Sequence, residues 1–328
     1  MKFLPALFLA FLLSPAASSW GQKISGRVEV HFIDVGQADA ILVVSPEKEC
    51  VMLLDSGNGR YPRSSKNFRR YMLEKVPKGY EINLVVASLP HADHIGNMRW
   101  VLQNYRVRTY IDNGQEYESR LYQSLMDEVH KQAKQNGLRY FVHTVTPPRD
   151  QDFCEAENLD TVLLFPREGY DPDFCQTNPN NCSVIVKLLY NKTSFLFPGD
   201  AGKEQEELLL KDREARERLP SDVLKAGDHG SDTSSSKEFL QAVSPKWVVV
   251  SSGRKGVGTN VQYKHPRLSA VTAFQELVGP SGANKRAVDV FDKARSKWIR
   301  KSISGNLFLT ARDGTVVLSS DGREIRKD

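Results

Sequence analysis

The chain has 328 residues, 40% of them hydrophobic, with a formal charge of +5. That is enough apolar material for a substantial core, and it excludes a disordered or fibrous polypeptide. The mild positive charge suits an anionic partner, a nucleic acid, a phosphate ester or an acidic surface, without choosing among them.

The first residues differ from the rest. Lys2 precedes an apolar run over residues 3–13 broken only by Pro5, and small residues follow at Ala16, Ala17, Ser18 and Ser19. This pattern predicts a secretory signal peptide over residues 1–21, cut between Ala17 and Gln22. The run is shorter than the ~20 residues of a spanning helix. The protein is therefore expected to be secreted or periplasmic, with a mature domain over residues 24–328. Four cysteines remain, Cys50, Cys154, Cys175 and Cys182. An even count in an exported chain predicts two disulfides. Of the three pairings, Cys175–Cys182 around an Asn- and Pro-containing loop is preferred, which leaves Cys50 with Cys154.

In chain order, residues 27–34 alternate as a strand, residues 35–39 turn, and residues 40–44 and 50–55 form further strands about a tight turn. Residues 64–76 carry Phe68, Met72 and Val76 on one helical face. Residues 82–87 read as a buried strand, and the cluster His91, Asp93 and His94 follows it on a strand-to-helix loop. Residues 96–105 predict a helix, 107–112 a strand, and 116–136 a long amphipathic helix closed by Gly137. Strands are expected at 138–145, 161–165, 183–190 and 194–198, the last running into Gly199 and Asp200. A highly charged helix is expected over 203–219. A strand over 222–226 ends at Asp228 and His229. Residues 234–243 predict a helix, 247–251 a strand and 268–277 a helix. The basic segment 285–301 reads as a surface helix with Trp298 docked inward, and 307–310 with 315–319 as a closing hairpin. Strands and helices alternate throughout, which predicts an α/β sandwich of two sheets with helices outside. With no internal linker, one domain is expected.

Three metal-capable side chains within four residues, His91, Asp93 and His94, suit Zn²⁺ or, with more oxygen donors, Mn²⁺ or Fe²⁺. Asp55, Asp200 and the pair Asp228 and His229 stand at the ends of three other predicted strands. In open α/β sheets, sites gather at such carboxyl ends.

These residues lie in motifs that together resemble the metallo-β-lactamase fold, and most of all the branch formed by the extracytoplasmic domain of the competence protein ComEC. The motifs are HFIDVGQADAILV (31–43), LLDSG (53–57), PHADHIGN (90–97), NNCSVIVKL (180–188), FLFPGDA (195–201), LKAGDHGS (224–231), YKHP (263–266) and TARDGTVVLSSDG (310–322). The resemblance implies an αββα sandwich of two mixed sheets flanked by helices. It also implies one or two divalent ions, Zn²⁺ or Mn²⁺, that activate a water. By resemblance His91, Asp93, His94, Asp200, Asp228 and His229 are the metal positions, Asp55 orients a ligand or its loop, and Asp93, Asp200 and His265 serve catalysis.

The sequence departs from the family's pattern at two positions. Leu89 stands where the family usually has histidine, and Asp228 replaces the first histidine of a pair. The middle histidine of other metallo-β-lactamases is also absent, with Asn180, Asn181 and Ser183 in that region. The first metal subsite is thus depleted, and a mononuclear or weakly binuclear site is expected.

The functional expectation is an exported metal-dependent hydrolase, a phosphodiesterase or nuclease. Hydrolysis of lactone, thioester or β-lactam bonds is the alternative within enzymes. A binding module on a decayed hydrolase scaffold is the alternative outside them. His265 reads equally as a rim contact to substrate or as a loop cap. His31 and His143 read as structural, and His130 as solvated. Asp34 and Asp39 flank a turn that can reach the site. Arg60, Arg63, Lys66, Arg69 and Arg70 read first as a solvated face and second as a phosphate guide, and no transmembrane partner is implied.

Overall fold

The computed structural model describes residues 26–143, 153–154, 156–165, 174–279 and 284–328. The expected signal peptide over residues 1–21 lies outside the described residues. Among the described residues sixteen strands are formed. They are β1 (Val28–Phe32), β2 (Ile41–Val44), β3 (Val51–Leu54), β4 (Glu81–Val86), β5 (Arg106–Asp112), β6 (Arg139–Val142), β7 (Leu159–Leu164) and β8 (Ile185–Tyr190). Next come β9 (Thr193–Phe197), β10 (Val223–Lys225), β11 (Trp247–Val250), β12 (Arg286–Asp292), β13 (Lys297–Ile303), β14 (Leu307–Leu309), β15 (Val316–Ser320) and β16 (Ile325–Lys327).

Eight strands make one sheet in the order β16-β15-β1-β2-β3-β4-β5-β6, and six make a second in the order β14-β11-β10-β9-β8-β7. Both are mixed. β3 to β6 run parallel and β1 to β3 antiparallel. In the second sheet β9, β10, β11 and β14 run parallel, while β7 to β9 are antiparallel.

Side-chain alternation along these strands builds three apolar layers. Val28, Val30 and Phe32 of β1 and Met52 and Leu54 of β3 meet Phe195, Phe197, Val223 and Val249 between the sheets. Leu42, Leu53 and Val85 point the other way, onto the helices Pro62–Lys75, Met98–Asn104 and Arg120–Asn136 through Phe68, Met72, Met98, Val101 and Leu125. On the far side, Leu196, Leu224 and Val248 pack under Leu209, Phe239, Leu240, Val271 and Phe274 of the helices Lys203–Lys211, Lys237–Val243 and Leu268–Val278. The arrangement is the expected helix–sheet–sheet–helix sandwich.

Four local expectations are corrected. Residues 285–301 are not a helix but belong to the antiparallel hairpin of β12 and β13. Val288, Val290 and Phe291 are buried along it, and the half-buried Trp298 sets its ring edge on Phe291. Residues 307–310 and 315–319 do not pair with each other. β14 adds to the second sheet beside β11, a short helix (Thr310–Asp313) carries the chain across, and β15 joins the first sheet beside β1. The charged helix over 203–219 breaks at Asp212, whose side chain caps a second helix by accepting from the Ala215 N–H. Finally, Asp93 and His94 lie inside a short helix, Ala92–Ile95, with His91 as its N-terminal cap residue, rather than in a loop. The expected strand over 138–145 is β6, and residues 144 and 145 lie outside the described residues.

One close approach locks the metal-capable helix to the loop after β3. A Cβ on Gly96 would fall 2.1 Å from Gly59 N and 2.5 Å from Gly57 O. Only glycine lets these two backbones touch.

The structure pairs Cys50 with Cys154 and Cys175 with Cys182, each with Cα atoms 5.4 Å apart, inside the usual span of a disulfide. Two disulfides fit an extracytoplasmic location. Among the described residues no helix is long and apolar enough to cross a membrane.

Candidate metal centre

Six chain segments reach one point at the carboxyl edge of the two sheets. They follow β1, β3, β4, β9, β10 and β11, and bring Asp39, Asp55, His94, Asp200, His229 and the Ser251 carbonyl together. Asp39, His94, Asp200 and His229, all buried, each bring a donor atom within 4.8 Å of the others.

The two imidazoles are fixed from behind. His94 Nδ1 faces Asp55 Oδ2 at 2.8 Å, and Asp55 is itself held by the N–H of Ser88 at 2.8 Å and its hydroxyl at 2.7 Å. His94 Nδ1 therefore carries a proton, and Nε2 is the nitrogen turned to the centre. His229 Nδ1 lies 3.0 Å from the Ser251 carbonyl, an acceptor only, so this ring too carries its proton on Nδ1. Both Nε2 atoms face Asp200 Oδ2, at 3.1 Å from His94 and 3.4 Å from His229. Asp93 Oδ2 lies 3.6 Å from His229 Nε2.

The backbone is bent to achieve this. Asp55 has φ 58°, and Asp228 and His229 have φ 41° and 52°. Left-handed conformations at non-glycine residues cost about 1–3 kcal/mol each, and such strain concentrates at functional sites.

These residues fit a divalent cation. His229 Nε2 and Asp200 Oδ1 are buried without a hydrogen-bond partner. Burial opposes positive charge on both rings. The Asp200 carboxylate, with Asp55 at His94 and Asp39 at His229, nevertheless holds both well above the ordinary imidazole value. Burial likewise opposes charge on Asp200, but the rings of His229 and His94 hold it well below the usual carboxylate range. Two imidazole nitrogens and carboxylate oxygens converging on one buried point are the donor chemistry of Zn²⁺ or Mn²⁺.

The other expected positions are nearby but differently employed. His91 lines the cavity above the centre and sets its ring edge-on to Tyr117, with centroids 5.5 Å apart. Asp228 lines the same cavity, and its Oδ2 accepts from the Thr233 hydroxyl at 2.7 Å. Burial and then Asp200 push its carboxyl up to about 6. None of His91, Asp93 and Asp228 is among the four converging donors. Leu89 is fully buried.

His265 also reaches the cavity. Gln37 Oε1 accepts from the Gly253 N–H at 3.0 Å, so its amide nitrogen donates to His265 Nδ1 at 3.1 Å. His265 therefore keeps its proton on Nε2, and burial, then His229, pull it down to about 3. The cavity holds about 600 Å³ and is lined also by Arg60, Tyr61, Tyr117 and Tyr263. His31 and His143 are fully buried and His130 is exposed.

The turn expected to reach the site does so through Asp39, and one further residue, Lys225, gained importance only in three dimensions. Asp39 stands inside the centre, and Lys225, the last residue of β10, is fully buried beneath it. Lys225 Nζ contacts Asp39 Oδ2, lies 3.5 Å from Asp200 Oδ1 and donates to the Gly199 carbonyl at 2.7 Å. Burial opposes its charge, but the two carboxylates hold the ammonium above the ordinary lysine value. A lysine two places after Val223, on the face that packs between the sheets, is the sequence signal for a buried ion pair.

Comparison with known sequences decides the family. The profile of the Metallo-beta-lactamase superfamily matches residues 33–254. The chain belongs to the metallo-β-lactamase superfamily. ComE operon protein 3 of Bacillus subtilis is 28% identical over 282 residues, covering 82% of this chain and 32% of that protein. Recombination protein 2 of Haemophilus influenzae is 38% identical over 236 residues, covering 69% of this chain and 24% of that protein. The chain thus spans about a third or less of the length of these relatives, and the ComEC-like resemblance concerns that portion. A metallo-β-lactamase from Cronobacter sakazakii superposes with a TM-score of 0.39 at 12% identity, over 65% of this chain and 86% of that one. That match is too loose to add to the family assignment.

Proposed function

We propose that this protein is an exported metal-dependent hydrolase that cleaves phosphodiesters, with nucleic acid as the substrate class. The carrying observation is the meeting of His94 Nε2 and His229 Nε2 at one oxygen of Asp200, with their outer nitrogens fixed by Asp55 and Ser251. His94, His229 and Asp200 would hold the ion, with the Asp93 carboxylate beside His229 Nε2. A divalent ion there supplies Lewis-acid polarisation of a phosphoryl oxygen and lowers the pKa of water.

The chain's own groups do the remainder. The rings of His229 and His94 outweigh burial and keep the Asp93 carboxyl below its usual value, so it is ionised and able to orient a water and take its proton. His265, neutral with Nε2–H free to donate, serves as a hydrogen-bond donor to a non-bridging oxygen rather than as a general acid. Arg60 offers positive charge at the cavity wall, and Tyr117 and Tyr263 offer aromatic faces. The competence and recombination names of relatives and the net charge of +5 support an anionic polymer as substrate.

The test is hydrolysis of bis-p-nitrophenyl phosphate by the mature chain with Mn²⁺ or Zn²⁺. Activity is expected in the wild type and is expected to vanish in Asp93→Ala. Equal rates in both would remove the mechanism. Faster turnover of a lactone, thioester or β-lactam would move the assignment to those bonds.

A second reading, a binding module on a decayed scaffold, draws on Leu89, a side chain without a donor beside the cluster. It predicts metal-free protein that shows no thermal shift on adding metal.

A further inference from the structure

The two oxygens of Asp200 keep different company. Oδ2 faces two imidazole nitrogens, at 3.1 Å from His94 and 3.4 Å from His229. Among the described residues, Oδ1 faces the ammonium of Lys225, at 3.5 Å. That ammonium is anchored on the chain around it. It donates to the carbonyl of Gly199, the residue before Asp200, and pairs with Asp39 Oδ2. Lys225 and Asp39 are both buried, so neither charge is screened by solvent.

We propose that Lys225 supplies the second positive charge of this centre, so that the site takes one divalent cation rather than two. The inference rests on the metal-centre reading above. A carboxylate that bridges two metal ions through both of its oxygens commits one oxygen to each. Here one of those places is taken by a cation that is covalently part of β10. Among the described residues, only His94 and His229 bring a nitrogen donor to the centre. Both converging imidazoles address Oδ2, His91 turns its ring edge to Tyr117, and Leu89 has nothing to donate. A second divalent ion beside Oδ1 would meet the buried ammonium of Lys225 at close range.

The experiment is Mn²⁺ titration of the mature chain, followed by electron paramagnetic resonance. The wild type is expected to bind one equivalent and show the hyperfine pattern of an isolated ion. Lys225→Met removes the fixed charge and frees Asp39 and Asp200 Oδ1, and is expected to bind a second equivalent with an exchange-coupled spectrum. Lys225→Arg keeps the charge and is expected to stay at one. If Lys225→Met does not fold, because Asp39 is left buried and unpaired, the wild type and Lys225→Arg decide the matter. Two coupled equivalents in the wild type, or a single equivalent in a folded Lys225→Met chain, would overturn the proposal. A wild type that binds no Mn²⁺ would remove the metal centre itself, and this inference with it.

Discussion

Asp55 Oδ2 accepts a 2.8 Å hydrogen bond from His94 Nδ1 across 39 residues of sequence. Neither group faces the cavity, and both are buried. The bond joins the residue after β3 to the short helix that follows its parallel neighbour β4, and decides which nitrogen of His94 is offered inward. Much of the centre depends on groups of this kind, which aim a donor without being one.

Asp55→Ala removes that aim. Partners of this type are worth about 10–100-fold in metal affinity. The variant is expected to bind Zn²⁺ or Mn²⁺ more weakly by that factor, measured by competition against a chelator. Unchanged affinity would show that packing alone sets the His94 ring.

Gly96→Ala tests the contact between the helix carrying His94 and the loop carrying Asp55. The new Cβ would lie 2.1 Å from a backbone nitrogen, with no flexible side chain to yield. Destabilisation of about 1–3 kcal/mol or more is expected in urea unfolding, with weaker metal binding because the loop must shift.

His143 gives a pH signature away from the centre. It is fully buried, its Nε2–H meets the Leu164 carbonyl at 3.2 Å, and burial lowers its pKa to about 4 against that hydrogen bond. The unfolded chain, with an imidazole near 6.5, binds the proton more readily. Stability is therefore lost as pH falls from about 6.5 towards 4, by roughly 3 kcal/mol in all. His143→Gln is expected to flatten this part of the stability profile. A slope identical to wild type would place the titration elsewhere.

The disulfide between Cys50 and Cys154 spans 104 residues and ties the start of β3 to a distant segment. Closing so long a loop restricts the unfolded chain, and such bonds typically contribute about 2–4 kcal/mol. The double variant Cys50→Ser with Cys154→Ser is expected to lose that much in denaturant unfolding. The Cys175–Cys182 pair closes a loop of separation 7 and is expected to matter less.

The layered fold was legible because strand alternation and helical stripes agree along most of the chain. Phe68 and Met72 face the sheet as their spacing implies. The site was legible in part, because Asp55, His94, Asp200 and His229 each follow a clear strand. Lys225 was not, since its meaning depends on Asp39, 186 positions earlier, reaching the same buried point. The hairpin of β12 and β13 was misread because its interleaved cations suggest a helical face, while its buried Val288 and Val290 follow a period of two. β14 and β15 suggest a hairpin by proximity, but the helix between them moves the chain from one sheet to the other.

The central claim is that His94, His229 and Asp200 together grip a divalent cation. Metal content per chain, measured by elemental analysis after loading with Mn²⁺ or Zn²⁺ and dialysis, tests it most directly. The wild type is expected to retain close to one ion and Asp200→Ala almost none. A wild type without metal, or equal retention by both chains, would contradict the account.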